Sequence, residues 1–70
     1  MKCVGVKQVL KNVKEKSVNK VFIAKDAESH VTQEIIKLCE EHKIPIVFVD
    51  TMAELGKMAG IEVGASCMAE

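Results

Sequence analysis

The 70-residue chain has no arginine, no tryptophan and no tyrosine, and it has only two phenylalanines. Without guanidinium groups it cannot make the bidentate arginine contact that most often reads guanine. Two phenylalanines are too few to form a platform on which successive bases of a single strand stack. These absences exclude two common ways of reading nucleic acid and leave lysine-based contacts open.

Long apolar runs and paired cysteines are missing as well. No stretch of 18 apolar residues predicts a membrane span, and the N-terminus lacks the apolar core of a signal peptide. The three cysteines, Cys3, Cys39 and Cys67, are widely spaced and form no C-x-x-C pair. This pattern favours free thiols in the cytoplasm over a disulfide framework or a zinc ribbon.

Motifs for catalysis or cofactor binding are also absent from the sequence. It contains no glycine-rich phosphate loop of the usual spacings and no Ser-His-Asp or Cys-His nucleophile set. Cys39 and His42 have a spacing that suits a metal, but a second ligand pair is missing and both fall on an apolar stripe, so packing is favoured. These absences favour a protein that is not an enzyme and that holds neither a metal nor a cofactor.

The charges that are present are divided unevenly. Ten lysines balance ten acidic residues, and a formal net charge of zero argues at first against a nucleic-acid partner, because affinity for phosphates comes from cationic groups. Residues 1–25, however, hold seven lysines against one glutamate, a net +6, whereas residues 26–70 carry a net −6. The zero net charge therefore conceals a basic first third of the chain and an acidic remainder.

Short β-rich runs alternate with helical patterns along a single domain, residues 1–70. Strands are predicted at 3–4, 18–24, 46–49 and 65–69, the second and third of them buried. Helices are predicted at 6–13, at 30–42, and between a Thr51–Glu54 capping box and a left-handed Gly60. The β-α-β-α-β-α-β order predicts an α/β fold, a three-layer α-β-α sandwich with right-handed crossovers, trimmed at both ends.

The first predicted helix carries a row of lysines opposite its apolar face. Lys7, Lys11 and Lys14 recur at i, i+4 and i+7, with Gln8 beside them. Gly5 and the free amides of a helix N-terminus can accommodate a phosphate, and a glutamine can donate to and accept from base edges. Charge spacing alone favours a plain solvated lysine face.

Two other functions remain open from the residues. Asp26 and Asp50 each follow a predicted strand, where ligands of open α/β sheets gather, and could hold Mg²⁺ in a receiver-like phospho-signalling domain. Aspartate is also a common turn and N-cap residue, and this interpretation is favoured for Asp50. The third possibility is a protein-binding module that uses an acidic surface made of Glu34, Lys37, Glu40 and Glu41.

The loop at 60–64 places two branched apolar residues, Ile61 and Val63, between two glycines. Apolar loop residues can pack against an unstacked nucleotide. The alternative, a hydrophobic staple and the start of a strand, is slightly favoured by the spacing alone.

Four co-linear segments cover the chain from about Val4 to Ala69. They are Gly5-Val6-Lys7-Gln8-x-x-Lys11, Val21-Phe22-Ile23-Ala24-Lys25-Asp26-Ala27, Leu38-Cys39-Glu40-Glu41-x-x-Ile44-Pro45 and Leu55-Gly56-x-x-x-Gly60-Ile61-Glu62-Val63-Gly64-Ala65. Together they resemble the ribosomal-protein L7Ae/L30e superfamily of kink-turn RNA binders, and the small bacterial L7Ae-like proteins in particular.

The resemblance implies a three-layer fold and a structured RNA partner, the kink-turn, which is sharply bent and contains sheared G·A pairs. In that family the helix after the first strand contacts the G·A pairs, at positions that match Lys7, Gln8 and Lys11. Gly5 and Val6 match positions where the backbone meets RNA. Archaeal members usually have Asn-Glu at two of these positions. This chain has Lys7-Gln8 there, a form similar to that of bacterial members.

Two further parts of the RNA site are implied by the same resemblance. Lys25 and Asp26 match a loop near the bulge of the kink. The loop that holds the extruded nucleotide matches Ile61, Glu62, Val63 and Gly64. The implied protein is a monomer without catalytic activity, and its RNA belongs to a ribosome or a riboswitch.

Overall fold

The sheet has four strands in the spatial order β1-β4-β2-β3 in the computed structural model, which describes residues 3–70. β1 spans Cys3–Val4, β2 Val21–Ala24, β3 Ile46–Val49 and β4 Cys67–Ala69. β2 and β3 are parallel, and β4 runs antiparallel to both of its neighbours, β1 and β2. The first two residues of the predicted domain lie outside the described residues.

Three helices complete the predicted order of elements. α1 spans Val6–Lys14, α2 Ser29–His42 and α3 Met52–Ala59. α1 and α2 cover one face of the sheet and α3 covers the other, which confirms the predicted three layers. β2 begins three residues later than predicted and β4 two residues later.

The two cores follow from the alternation of side chains along β2. Val21 and Ile23 point to one face, where they pack with Val9 and Val13 of α1 and with α2. The intervening residues of β2, Phe22 and Ala24, point to the other face and pack against α3. A strand buried on both faces reads as a continuous apolar run, which is why β2 was predictable.

The link between β3 and β4 differs from the predicted crossover. A right-handed crossover joins parallel strands, but β4 is antiparallel to β2 and hence to β3. Gly60, with a φ of 77°, ends α3 in the left-handed conformation, as predicted, and the chain then turns back along the helix. Because the chain returns to the end of the sheet from which α3 started, β4 enters in the opposite direction.

β3 is less buried than predicted. Val47 is 41% exposed and Phe48 52%, and only the end residues Ile46 and Val49 pack against the two cores. β3 is an edge strand of the sheet, so one of its sides has no neighbouring strand. The prediction that this strand is buried was wrong because an apolar run does not reveal a strand's place in the sheet.

The cysteines behave largely as predicted from their apolar surroundings. Cys39 and Cys67 are buried and Cys3 is partly buried, all as free thiols in or beside the core between the sheet and α1 and α2. Burial raises the pKa of Cys67 to about 11, with smaller contributions from Cys3 and Cys39, and it raises the pKa of Cys39 as well. Such thiols remain protonated and pack as small apolar groups.

Candidate nucleic-acid interface

One end of the sheet brings most of the predicted site residues together. β1, β2 and β3 end there and β4 begins there, so the loops that follow the first three strands meet the segment that precedes the fourth. The Gly5 N–H donates to the Cys67 carbonyl over 3.3 Å, and the Ala24 N–H donates to that of Ser66 over 3.0 Å. We call this end of the molecule the site edge; it comprises residues 5–8, 25–26, 50–52 and 63–66.

The N-terminus of α1 opens onto the site edge. Gly5 precedes the helix with a φ of 100°, a conformation that favours glycine, although a Cβ there would meet no atom within 4 Å. No side chain caps the helix and its first turn holds no acidic residue. The first amides of a helix have no partner within it and its dipole is positive there, so this end can accept an anion.

The lysine row of α1 is exposed and available. Val9 and Val13 are fully buried, while Lys7, Gln8 and Lys11 point to solvent. Within residues 3–70, no carboxylate oxygen lies within 4.0 Å of the ammonium groups of this row, which ends at Lys14. The lysines of this row are therefore exposed and form no ion pair with any residue that the structure describes.

The two aspartates considered for Mg²⁺ each have a partner on the protein. The Asp50 Oδ1 lies 3.4 Å from the Lys25 Nζ in an exposed ion pair, and the Asp26 Oδ1 accepts a hydrogen bond from the Met52 N–H over 2.8 Å. The part of the chain that the structure describes contains no group of three or more His, Cys, Asp or Glu arranged to hold a metal. The Asp50 carboxylate thus contacts the loop after β2, and the Asp26 carboxylate contacts the first residue of α3.

The 60–66 segment runs back along α3 towards the site edge. The Ile61 N–H donates to the Gly56 carbonyl over 3.0 Å, and the Ala65 N–H donates to that of Met52, also over 3.0 Å. Ile61 and Glu62 therefore lie beside the C-terminal half of α3, away from the edge, while Val63 and Gly64 approach it. Val63 is 71% exposed and stands outside both cores.

Comparison with known proteins adds to this geometry. A model of the ribosomal protein L7Ae/L30e/S12e/Gadd45 family matches residues 3–70. The chain belongs to this family. An RNA-binding protein of Caldanaerobacter subterraneus subsp. tengcongensis is 55% identical over 67 residues, which cover 96% of this chain and 82% of that protein. An RNA-binding protein of Bacillus pumilus is 44% identical over 66 residues, which cover 94% of this chain and 80% of that protein.

The fold of a solved family structure agrees with this membership. The Giardia lamblia 15.5kD RNA binding protein superposes with a TM-score of 0.90 at 25% identity, covering 97% of this chain and 57% of that one. The predicted resemblance to the superfamily and to small bacterial L7Ae-like proteins is confirmed. None of the helices in the described range of this L7Ae-family chain is long and apolar enough to span a membrane.

Sequence reasoning missed two residues that shape the site of this L7Ae-family chain. Gly56 is buried in α3, and a Cβ built on it would overlap the Val63 carbonyl oxygen. Met52 is the first residue of α3. Its N–H donates to the Asp26 carboxylate, and its carbonyl oxygen accepts from the Ala65 N–H. A glycine inside a helical pattern is costly relative to alanine, so Gly56 was the one available signal that another backbone approaches the helix closely.

Proposed function

We propose that this L7Ae-family chain binds structured RNA of the kink-turn type through the site edge, as a monomer and without catalysis. The observation that carries the proposal is the exposed row of Lys7, Gln8 and Lys11 at an uncapped helix N-terminus. The two relatives and the solved structure described above support it, because each is named as an RNA-binding protein.

Each group of the row suits a different part of a folded RNA. The ammonium groups of Lys7 and Lys11 and the free amides of α1 suit phosphate oxygens. The side chain of Gln8 both donates and accepts, so it suits the edges of the sheared G·A bases. Together these contacts hold the RNA backbone and read base identity on one helix.

The other part of the proposed site lies across the sheet from α1. Lys25 adds a cation in the loop after β2, and Val63 offers an exposed apolar side chain in the 60–66 segment. An apolar surface of this kind can pack against an unstacked base. Since α1 and the 60–66 segment flank the site edge on opposite faces of the sheet, a sharply bent RNA can contact both.

Binding of this kind stabilises the bent RNA by a shift of population. Contacts on both sides of the sheet form only with the kinked conformation, so the protein favours that state by the difference in binding free energy. Three free thiols suit a reducing cytoplasm, and the proposed setting is a ribosome or a riboswitch.

Gln8→Ala is expected to weaken binding to a kink-turn RNA by about 1–3 kcal/mol, the usual value of a good base-edge contact. The same substitution should have little effect on an RNA whose G·A pairs are replaced by Watson–Crick pairs, because the edges that Gln8 reads are then absent. Mobility-shift titrations of both RNAs at one fixed salt concentration measure the difference.

The matched control is Gln33→Ala, since Gln33 is exposed on α2 and lies outside the site edge. It should leave the affinity for both RNAs unchanged. Equal losses for Gln8→Ala on the intact and the altered RNA would contradict base reading by Gln8.

A further inference from the structure

The Asp26 carboxylate lies where the loop after β2 meets the first turn of α3. Its Oδ1 accepts a hydrogen bond from the Met52 N–H over 2.8 Å, between residues 26 positions apart in the sequence. Met52 begins α3, where an N–H has no partner within the helix and where the helix dipole favours a negative charge. Asp26 therefore ties the loop that carries Lys25 to the start of α3.

Met52 is also the residue on which the 60–66 segment rests. Its carbonyl oxygen accepts from the Ala65 N–H over 3.0 Å, and its sulfur accepts from the Ser66 hydroxyl over 3.8 Å. A Cβ built on Gly64 would lie only 3.2 Å from the Met52 Cβ, so the segment and the helix are in tight contact. A shift of Met52 would therefore move the segment.

A second hydrogen bond connects β2 to the 60–66 segment, in addition to the connection through Asp26 and Met52. The Ala24 N–H donates to the Ser66 carbonyl over 3.0 Å, so the end of β2 holds the segment directly. Two residues further along the chain, in the loop after β2, Asp26 holds the segment again through Met52. Because both connections start from the same strand end, they fix the position of the segment relative to Lys25.

We propose that Asp26 is a positioning residue: acting through the Met52 N–H, it places the 60–66 segment on the RNA-binding surface and makes no contact with the RNA itself. The inference rests on the proposed RNA binding. A carboxylate at a surface that receives phosphates would repel them. Its hydrogen bond to α3 explains why an acid stands next to Lys25 at the site edge.

Two substitutions separate positioning from direct contact. Asp26→Asn keeps an oxygen that can accept from the Met52 N–H, whereas Asp26→Ala removes it. We expect Asp26→Ala to weaken binding to a kink-turn RNA about tenfold, the equivalent of one lost hydrogen bond, and Asp26→Asn to bind like the wild type. Glu34→Ala, which removes an exposed acid on α2 outside the site edge, is the control and should cause no loss.

The free protein gives a second readout that does not depend on RNA. In ¹H–¹⁵N spectra, Asp26→Ala should shift the amides of both Met52 and Ala65, and Asp26→Asn should leave the Ala65 amide in place. The same spectra show that each variant is folded.

Three results would overturn the proposal: equal losses of affinity for the two Asp26 variants, unchanged affinity of Asp26→Ala, or an unshifted Ala65 amide in Asp26→Ala. Should wild-type protein bind the G·A-disrupted RNA as tightly as the intact one, the proposed function fails instead. The Ala65 amide still decides in that case whether Asp26 positions the segment.

Discussion

Gly56→Ala is expected to destabilise the protein by about 2 kcal/mol, although alanine is the better helix former by about 1 kcal/mol. The new Cβ would overlap the Val63 carbonyl oxygen and would lie 3.1 Å from its carbon and 3.2 Å from the Gly64 Cα. These are backbone atoms, so the 60–66 segment itself has to move. Urea unfolding measures the change in the free energy of unfolding.

The matched control for Gly56→Ala is Ala53→Gly in the same helix. Ala53 is exposed, so only helix propensity acts there, and glycine should cost about 1 kcal/mol. Glycine is thus expected to be the more stable residue at position 56 and the less stable one at position 53. If Gly56→Ala instead stabilised the protein as propensity alone predicts, the packing of the segment against α3 would be refuted.

Replacing Lys7 and Lys11 together by glutamine should weaken kink-turn binding by at least about a hundredfold. Hydrogen bonds to charged groups contribute about 1.5–3 kcal/mol each, and two of them are removed. The plot of log affinity against log salt should also become shallower by about two units, one for each lysine that no longer neutralises a phosphate. Affinities at four or five salt concentrations measure both effects.

The control for this pair is Lys16→Gln with Lys43→Gln, which changes the net charge equally. Both residues are exposed, both have a positive φ (56° and 57°), and they follow the C-terminal ends of α1 and α2 at the opposite end of the sheet. The control pair should leave the salt dependence nearly unchanged. Equal losses for the two pairs would mean that RNA responds only to net charge and not to the site edge.

Much of the fold was predictable because local patterns decide it. The fully apolar β2, the spacing of Val9 and Val13 on α1 and the Thr51 cap, whose Oγ1 accepts from the Glu54 N–H over 3.1 Å, are all visible in neighbouring residues. The order of the strands is not local. The antiparallel β4 and the exposed Phe48 both depend on which strand lies beside which, and the sequence pattern does not encode this.

The candidate site also has a part that local patterns predict and a part that they do not. The row of Lys7, Gln8 and Lys11 was found because helical spacing places these residues on one exposed face. The contact between Asp26 and Met52 joins distant parts of the chain through a main-chain N–H, a group that every residue except proline carries. No side-chain pattern marks such a partner, so only the structure reveals the link.

The division of charge that made a zero net charge misleading also has a place in the fold. Lys7 and Lys25 lie at the site edge and Lys11 is exposed one turn further along α1, whereas the acids Glu34, Glu40 and Glu41 are exposed on α2. Cations near the site steer an RNA towards it, and acids elsewhere reduce binding to phosphate backbones in other orientations. Net charge alone conceals this arrangement.

The most direct test of kink-turn recognition is one comparison with the wild-type protein. Its affinity is measured by mobility shift, at one fixed salt concentration, for a kink-turn RNA and for the same RNA with its G·A pairs replaced by Watson–Crick pairs. We expect the intact RNA to bind at least about tenfold more tightly, because the proposed contacts with α1 and the 60–66 segment are made to the bent form. Equal affinity for the two RNAs would contradict the account.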